Sequence, residues 1–89
     1  MIKVVLEVKN SSGLHARPSS LIARKMSSFL SEVKIDINNE FINAKSILEL
    51  LSLCASCGTK LNFVINGDDE NDVFKELNRL FDSEFNEAY

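Results

Sequence analysis

The apolar residues of this sequence repeat with a period of two in some stretches and of about 3.6 in others, and the order of those stretches restricts the folds open to it. Ile2, Val4, Leu6 and Val8 alternate with Lys3, Val5, Glu7 and Lys9, the pattern of a strand with one buried face. From Pro18 the period lengthens. Ile22, Met26, Phe29 and Leu30 fall on one helical face, opposite Arg24, Lys25, Ser27 and Ser28. This helix is expected to start at about Arg17 or Pro18, because proline is tolerated in a first helical turn and restrains the residue before it. It is expected to end near Leu30 or Ser31. Val33, Ile35 and Ile37 alternate as a second strand. Asn38-Asn39 suits the positive φ angles of a tight hairpin, which makes Phe41 and Ile42 part of a short third strand. Leu61, Phe63 and Ile65 form a fourth. Val73, Phe74, Leu77, Leu80 and Phe81 then make the apolar stripe of a last helix over 71–81, with Asp69, Glu70 and Asp72 at the end where the helix dipole favours acids.

A further helix lies between the third and fourth strands. Ser46 is a good N-cap, and Glu49 three residues on completes a capping-box pattern. The helix, about Ile47 to Leu53, is apolar on nearly every side: Ile47, Leu48, Leu50, Leu51, Leu53 and Cys54 leave only Glu49 and Ser52 polar. A chain of 89 residues has little interior in which to bury such a helix completely. Either part of it is an exposed partner patch, or it is wedged deeply between its neighbours. The order β-α-β-β-α-β-α implies a single domain over 1–89, of the α+β class, with three helices on one face of a mostly antiparallel four-stranded sheet. The first crossover should be right-handed, and the fourth strand should pair between the first and second as a split β-α-β.

Composition removes several function classes. Apolar residues are 45% and charged residues 26%, as in ordinary globular domains. The net charge of −3 lacks the basic footprint of a nucleic-acid binder. No apolar run is long enough to span a bilayer, and the N-terminus has strand character rather than that of a signal peptide, so a cytoplasmic location without membrane insertion is expected. Cys54 and Cys57 form a C-x-x-C pair. With one histidine they cannot complete a four-ligand zinc site alone, and neither metal nor cofactor is expected. Their place near a helix C-terminus disfavours a thiolate, so packing is the expected use of Cys54, with both thiols reduced.

The chemistry-bearing stretch is Asn10-Ser11-Ser12-Gly13-Leu14-His15-Ala16-Arg17-Pro18, which holds the chain's one histidine and one proline. Asn10 to Gly13 is turn material, so His15 falls just before the first helix. Helix N-termini favour anions, phosphate above all. An imidazole is a nucleophile in covalent catalysis, and the Arg17 guanidinium matches phosphate oxygens. The plain alternative is a histidine that is a helix cap or a solvated surface group.

Gly13-Leu14-His15-Ala16-Arg17-Pro18 resembles the active-site signature of the HPr family, the histidine-containing phosphocarriers of the bacterial sugar phosphotransferase system. Asn43-Ala44-Lys45-Ser46-Ile47-Leu48-Glu49-Leu50-Leu51-Ser52-Leu53 resembles that family's regulatory serine segment, and Gly58-Thr59 through Leu61–Val64 to Gly67-Asp68-Asp69-Glu70 resembles its last strand and turn. The resemblance implies an open-faced β-sandwich of strand order 1-4-2-3. It implies a monomer that accepts phosphate on Nδ1 of His15 from phosphorylated enzyme I, with Arg17 assisting, and passes it to IIA domains of sugar permeases. Ser46 matches a position modified in many members by an HPr kinase/phosphorylase. Arg24, Ile47, Leu48 and Leu51 would supply the docking surface, apolar at its centre with Arg17, Arg24 and Lys25 as a charged rim, because the starts of the first two helices lie side by side in that fold. Cys54 stands where the family commonly has glycine, and Glu49 where it has glycine or lysine. A regulatory HPr-like protein acting on nitrogen or carbon metabolism without feeding sugar uptake is the nearest alternative. An RNA-binding ferredoxin-like module lacks its aromatic strand motif, and a stand-alone enzyme lacks a second catalytic group beyond Arg17.

Overall fold

The computed structural model describes residues 1–86. Its strands are β1 (Ile2–Glu7), β2 (Glu32–Ile37), β3 (Glu40–Asn43) and β4 (Lys60–Asn66), and its helices α1 (Ala16–Ser27), α2 (Ile47–Ser52) and α3 (Glu70–Asp82), followed by a 3₁₀ turn over Glu84–Asn86. The sheet has the order β1-β4-β2-β3 and is antiparallel throughout. This is the expected open-faced α+β sandwich. β4 is central: Phe63 lies opposite Val4 on one side and Ile35 on the other.

The period-two pattern decides what is buried. Leu61, Phe63 and Ile65 of β4 and Val33 and Ile35 of β2 face the helices and are buried, together with Ile22 and Met26 of α1, Leu50 of α2, and Val73, Leu77 and Phe81 of α3. Phe81 stands edge-on to Phe63, with ring centres 5.5 Å apart, and to Phe85, at 4.9 Å. The other sheet face carries exposed Val5 and Phe41, with the Lys34 ammonium 5.8 Å from the Phe41 ring centre.

The Asn38-Asn39 hairpin has the expected positive φ angles, 49° and 68°. Three local expectations are corrected. First, α1 spans Ala16–Ser27, so it begins one residue early and ends short of Leu30. The Ser28 hydroxyl and N–H both bond the Lys25 carbonyl, at 2.6 and 3.1 Å, closing the last turn. Leu30 is left 86% exposed, and its N–H and that of Ser31 donate to the Asp69 carboxylate at 2.8 and 2.9 Å. The Ser31 hydroxyl bonds the same carboxylate. These bonds hold the Asp69 carboxyl below its ordinary pKa of 3.8, the Ser31 hydroxyl contributing most. Second, only half of the capping box forms. Ser46 Oγ accepts the Glu49 N–H at 3.3 Å, but the Glu49 carboxylate accepts the Asn43 N–H, at 3.0 Å, because Ser46 N–H is bonded to the Asn43 carbonyl. Third, Cys54 is exposed rather than packed and has a φ of +50°, a left-handed conformation in which glycine is more at ease.

Candidate functional site

His15 occupies the N-cap position of α1 with extended backbone dihedrals (φ −78°, ψ −168°), and its carbonyl accepts the Ser19 N–H at 3.1 Å. Pro18 sits two residues inside the helix, in the first turn, where the helix makes no demand on its nitrogen. His15 and Arg17 are exposed, while Pro18 and Ser19 are buried beneath them.

A set of buried polar contacts seats the residues leading to His15. The Asn10 carboxamide donates to the Gly13 carbonyl at 2.7 Å, and Gly13 N–H returns to the Asn10 carbonyl at 3.1 Å. The Ser19 hydroxyl donates to the Leu14 carbonyl at 3.2 Å. Leu14 N–H donates to the Ala55 carbonyl at 2.8 Å, which ties this turn to the segment after α2. Gly13 has φ +69°, and a Cβ there would lie 2.5 Å from the Ala55 oxygen. Asn10 and Ser19 are among the few fully buried polar residues. Neither is recognisable from the sequence as a residue that seats the site. A turn asparagine and a helix serine carry no sign of burial in one sequence, since their partners are backbone atoms.

The candidate site residues other than Arg17, which lines neither, fall into two depressions. Ser12, Leu14, His15, Leu51, Cys54, Ala55 and Ser56 line one. The other runs between α1 and α2 and is lined by Ser20, Ala23, Arg24 and Ser27 on one side and Lys45, Ser46, Ile47 and Leu48 on the other. The starts of α1 and α2 therefore do not lie side by side. The start of α1 meets the end of α2, and the start of α2 meets the middle of α1. Arg24, Ile47 and Leu48 join Ser46, while Leu51 joins His15. Ile47 is 42% and Leu48 80% exposed, whereas Leu50 is fully buried. The helix is thus both wedged and exposed, with Leu50 as the wedge. Lys25 leaves the expected rim: it turns toward α3, with its ammonium 3.8 Å from Glu76. Glu76 also accepts from Arg79 Nε at 3.0 Å, and this bond chiefly holds its carboxyl below the ordinary value.

An exposed imidazole at a helix N-cap, with a guanidinium two residues on and a rigid floor of backbone hydrogen bonds, suits nucleophilic attack on a phosphoryl group brought by another molecule. Among the described residues no group of three His, Cys, Asp or Glu side chains converges as a metal site, and no helix is long and apolar enough to cross a membrane.

Residues 2–83 match the family model described as the PTS HPr component phosphorylation site. The chain is 36% identical over 87 residues to the phosphocarrier protein HPr of Treponema pallidum (strain Nichols), covering 98% of this chain and 99% of that one. Its fold is similar to the crystal structure of HPr-C-His from Thermoanaerobacter tengcongensis, with a TM-score of 0.91, 39% identity and complete coverage (100%) of both chains. It is also similar to an HPr dimer from the same organism, with a TM-score of 0.75, 40% identity, and 98% and 100% of the two chains covered. Monomeric character, expected from the resemblance, is therefore not uniform among such structures.

Proposed function

This chain belongs to the HPr family of phosphotransferase-system phosphocarriers, and from that premise we propose that it accepts a phosphoryl group on His15 from phosphorylated enzyme I and passes it to IIA domains of sugar permeases. An imidazole nitrogen lone pair forms the bond to phosphorus as the bond from phosphorus to enzyme I breaks. The reverse exchange, with a IIA residue as nucleophile, regenerates unphosphorylated His15. Transfer of this kind rests mainly on positioning and charge stabilisation, and both are available. Arg17 supplies positive charge for the equatorial oxygens, and the helix N-terminus adds its dipole. Exposure of both residues suits a carrier, which must be reached by its donor and its acceptor in turn.

The observation that carries this reading is the placement of His15, exposed and at the head of α1, on a floor pinned by Asn10, Ser19 and Ala55. Ser46 is the second proposed phosphorylation position, a substrate of an HPr kinase/phosphorylase. It lies half-buried in the groove with Arg24 and Leu48, so a phosphate there would place negative charge on the proposed docking surface. The test is incubation with enzyme I and labelled phosphoenolpyruvate, followed by mass mapping of acid-labile phosphate. Label is expected on His15, at a reduced rate in Arg17→Ala and absent in a folded His15→Ala protein. Acid-labile label on His15→Ala would overturn the assignment.

A further inference from the structure

The phosphoryl chemistry leaves the C-x-x-C pair unused, yet these cysteines bracket the two residues that seat the His15 turn. Cys54 and Cys57 are both exposed free thiols. Between them, the Ala55 carbonyl receives the Leu14 N–H at 2.8 Å, and a Cβ on Gly13 would lie 2.5 Å from that oxygen and 3.0 Å from Ser56 Cα. Ser56 then accepts the Thr59 N–H at 3.0 Å, which places Cys57 and Gly58 at the tip of a turn. Cys54 itself lines the depression that holds His15.

The two sulfurs engage different neighbours. The Cys54 thiol donates toward the Leu51 carbonyl, 3.8 Å away, and the Cys57 thiol toward the Lys9 carbonyl, 3.5 Å away. A disulfide demands an S–S length of about 2.05 Å and a narrow range of Cβ–S–S–Cβ dihedrals. Joining these sulfurs takes both from their carbonyls and closes a ring whose backbone runs through Ala55 and Ser56, so the geometry the ring imposes acts on the residues packed against Gly13 and Leu14. Packing is tight here, so a shift of Ala55 is passed to Gly13, Leu14 and His15.

We propose that Cys54 and Cys57 form a reversible disulfide that lowers phosphoryl acceptance at His15, an inference that rests on the reading of His15 as acceptor. The oxidant is a low-molecular-weight disulfide. One cysteine thiolate attacks it, forming a mixed disulfide and releasing one small thiol. The second cysteine attacks the mixed disulfide at the protein sulfur and releases the other. Two protein thiols are oxidised, two small-molecule thiols are formed, and their protons come from the cysteines. Excess dithiol reverses both steps.

The experiment treats the full chain with oxidised glutathione, checks intact mass for the loss of two hydrogens, and follows phosphorylation by enzyme I and phosphoenolpyruvate. The oxidised protein should accept phosphate at least ~10-fold more slowly, since displacements of about 1 Å can cost a hundredfold, and dithiothreitol should restore the rate. Cys57→Ser, which keeps a donor toward the Lys9 carbonyl, should react at the reduced rate with or without prior oxidant treatment. Hydrogen exchange at the Leu14 amide gives an independent readout and should speed up on oxidation. A pair that fails to close, or that closes with an unchanged rate and unchanged Leu14 exchange, overturns the switch. Should the reduced protein accept no phosphate, the reading of His15 fails, and the Leu14 amide alone decides whether the pair remodels the turn.

Discussion

Leu48→Asp separates a docking role for α2 from a packing role. Burying a leucine side chain fully is worth about 1.5–3 kcal/mol. Leu48 is 80% exposed, so about a fifth of that, roughly 0.3–0.6 kcal/mol, is at stake in the isolated protein. The substitution also places a carboxylate at the second position of a helix that begins at Ile47, where the dipole returns about 0.3–1 kcal/mol. The two nearly cancel, and the denaturation midpoint should stay within about 0.5 kcal/mol of the parent. Enzyme I, on the proposed reading, covers the exposed four-fifths. Losing that burial removes about 1.2–2.4 kcal/mol, or roughly ten- to fiftyfold in affinity, before any cost of desolvating the carboxylate. Titration of enzyme I with the variant, beside urea denaturation, measures both quantities. Leu50→Asp, at a fully buried position two residues on, should unfold the chain and serves as the contrast. Normal enzyme I affinity for Leu48→Asp, or a stability loss above about 1 kcal/mol, would refute the reasoning.

Three other substitutions test the site and its frame. Gly13→Ala should lose about 2–4 kcal/mol, read by denaturant unfolding, because it adds a left-handed alanine to a Cβ clash with the Ala55 oxygen. Ser46→Asp should keep α2, since aspartate caps well, and should slow phosphorylation of His15 by enzyme I; unchanged kinetics would reduce Ser46 to a cap. For Asp69 the folded pKa lies below the unfolded 3.8, so its stabilisation is present above that value and lost as pH falls through the folded pKa. Asp69→Asn should therefore melt earlier at neutral pH, and the gap from the parent should narrow as pH drops below about 4, followed by thermal melts across that range.

The sheet was legible because its strands carry their partners' pattern in their own alternation. Leu61, Phe63 and Ile65 mark a buried face whichever neighbours they find. The place of His15 and Arg17 at the head of α1 is legible because Pro18 marks the helix start within the same short stretch. What escaped detection depends on contacts distant in sequence. Periodicity carries α1 to Leu30 or Ser31, but the N–H groups of both are taken by Asp69, some forty residues later. The Glu49 carboxylate matched a capping box in spacing yet found Asn43 N–H instead, since the Ser46 N–H was already bonded. Cys54 read as apolar packing in a helical stripe, but α2 stops at Ser52 and the chain turns left-handed at Cys54, carrying the thiol outward.

The central place of β4 has a consequence for the protein during its synthesis. β1 hydrogen-bonds to β4 on its inner side, and β2 reaches β1 only through β4. A nascent chain released only as far as the end of α2 can form the β2–β3 hairpin, but β1 still has nothing to pair with. Pairings this far apart in sequence fold more slowly than local ones. The Leu14 N–H must wait for Ala55, and the residue after it, Ser56, accepts from Thr59 just before β4. The turn that presents His15 is therefore translated ahead of β2, β3 and α2 and takes its final shape only after them.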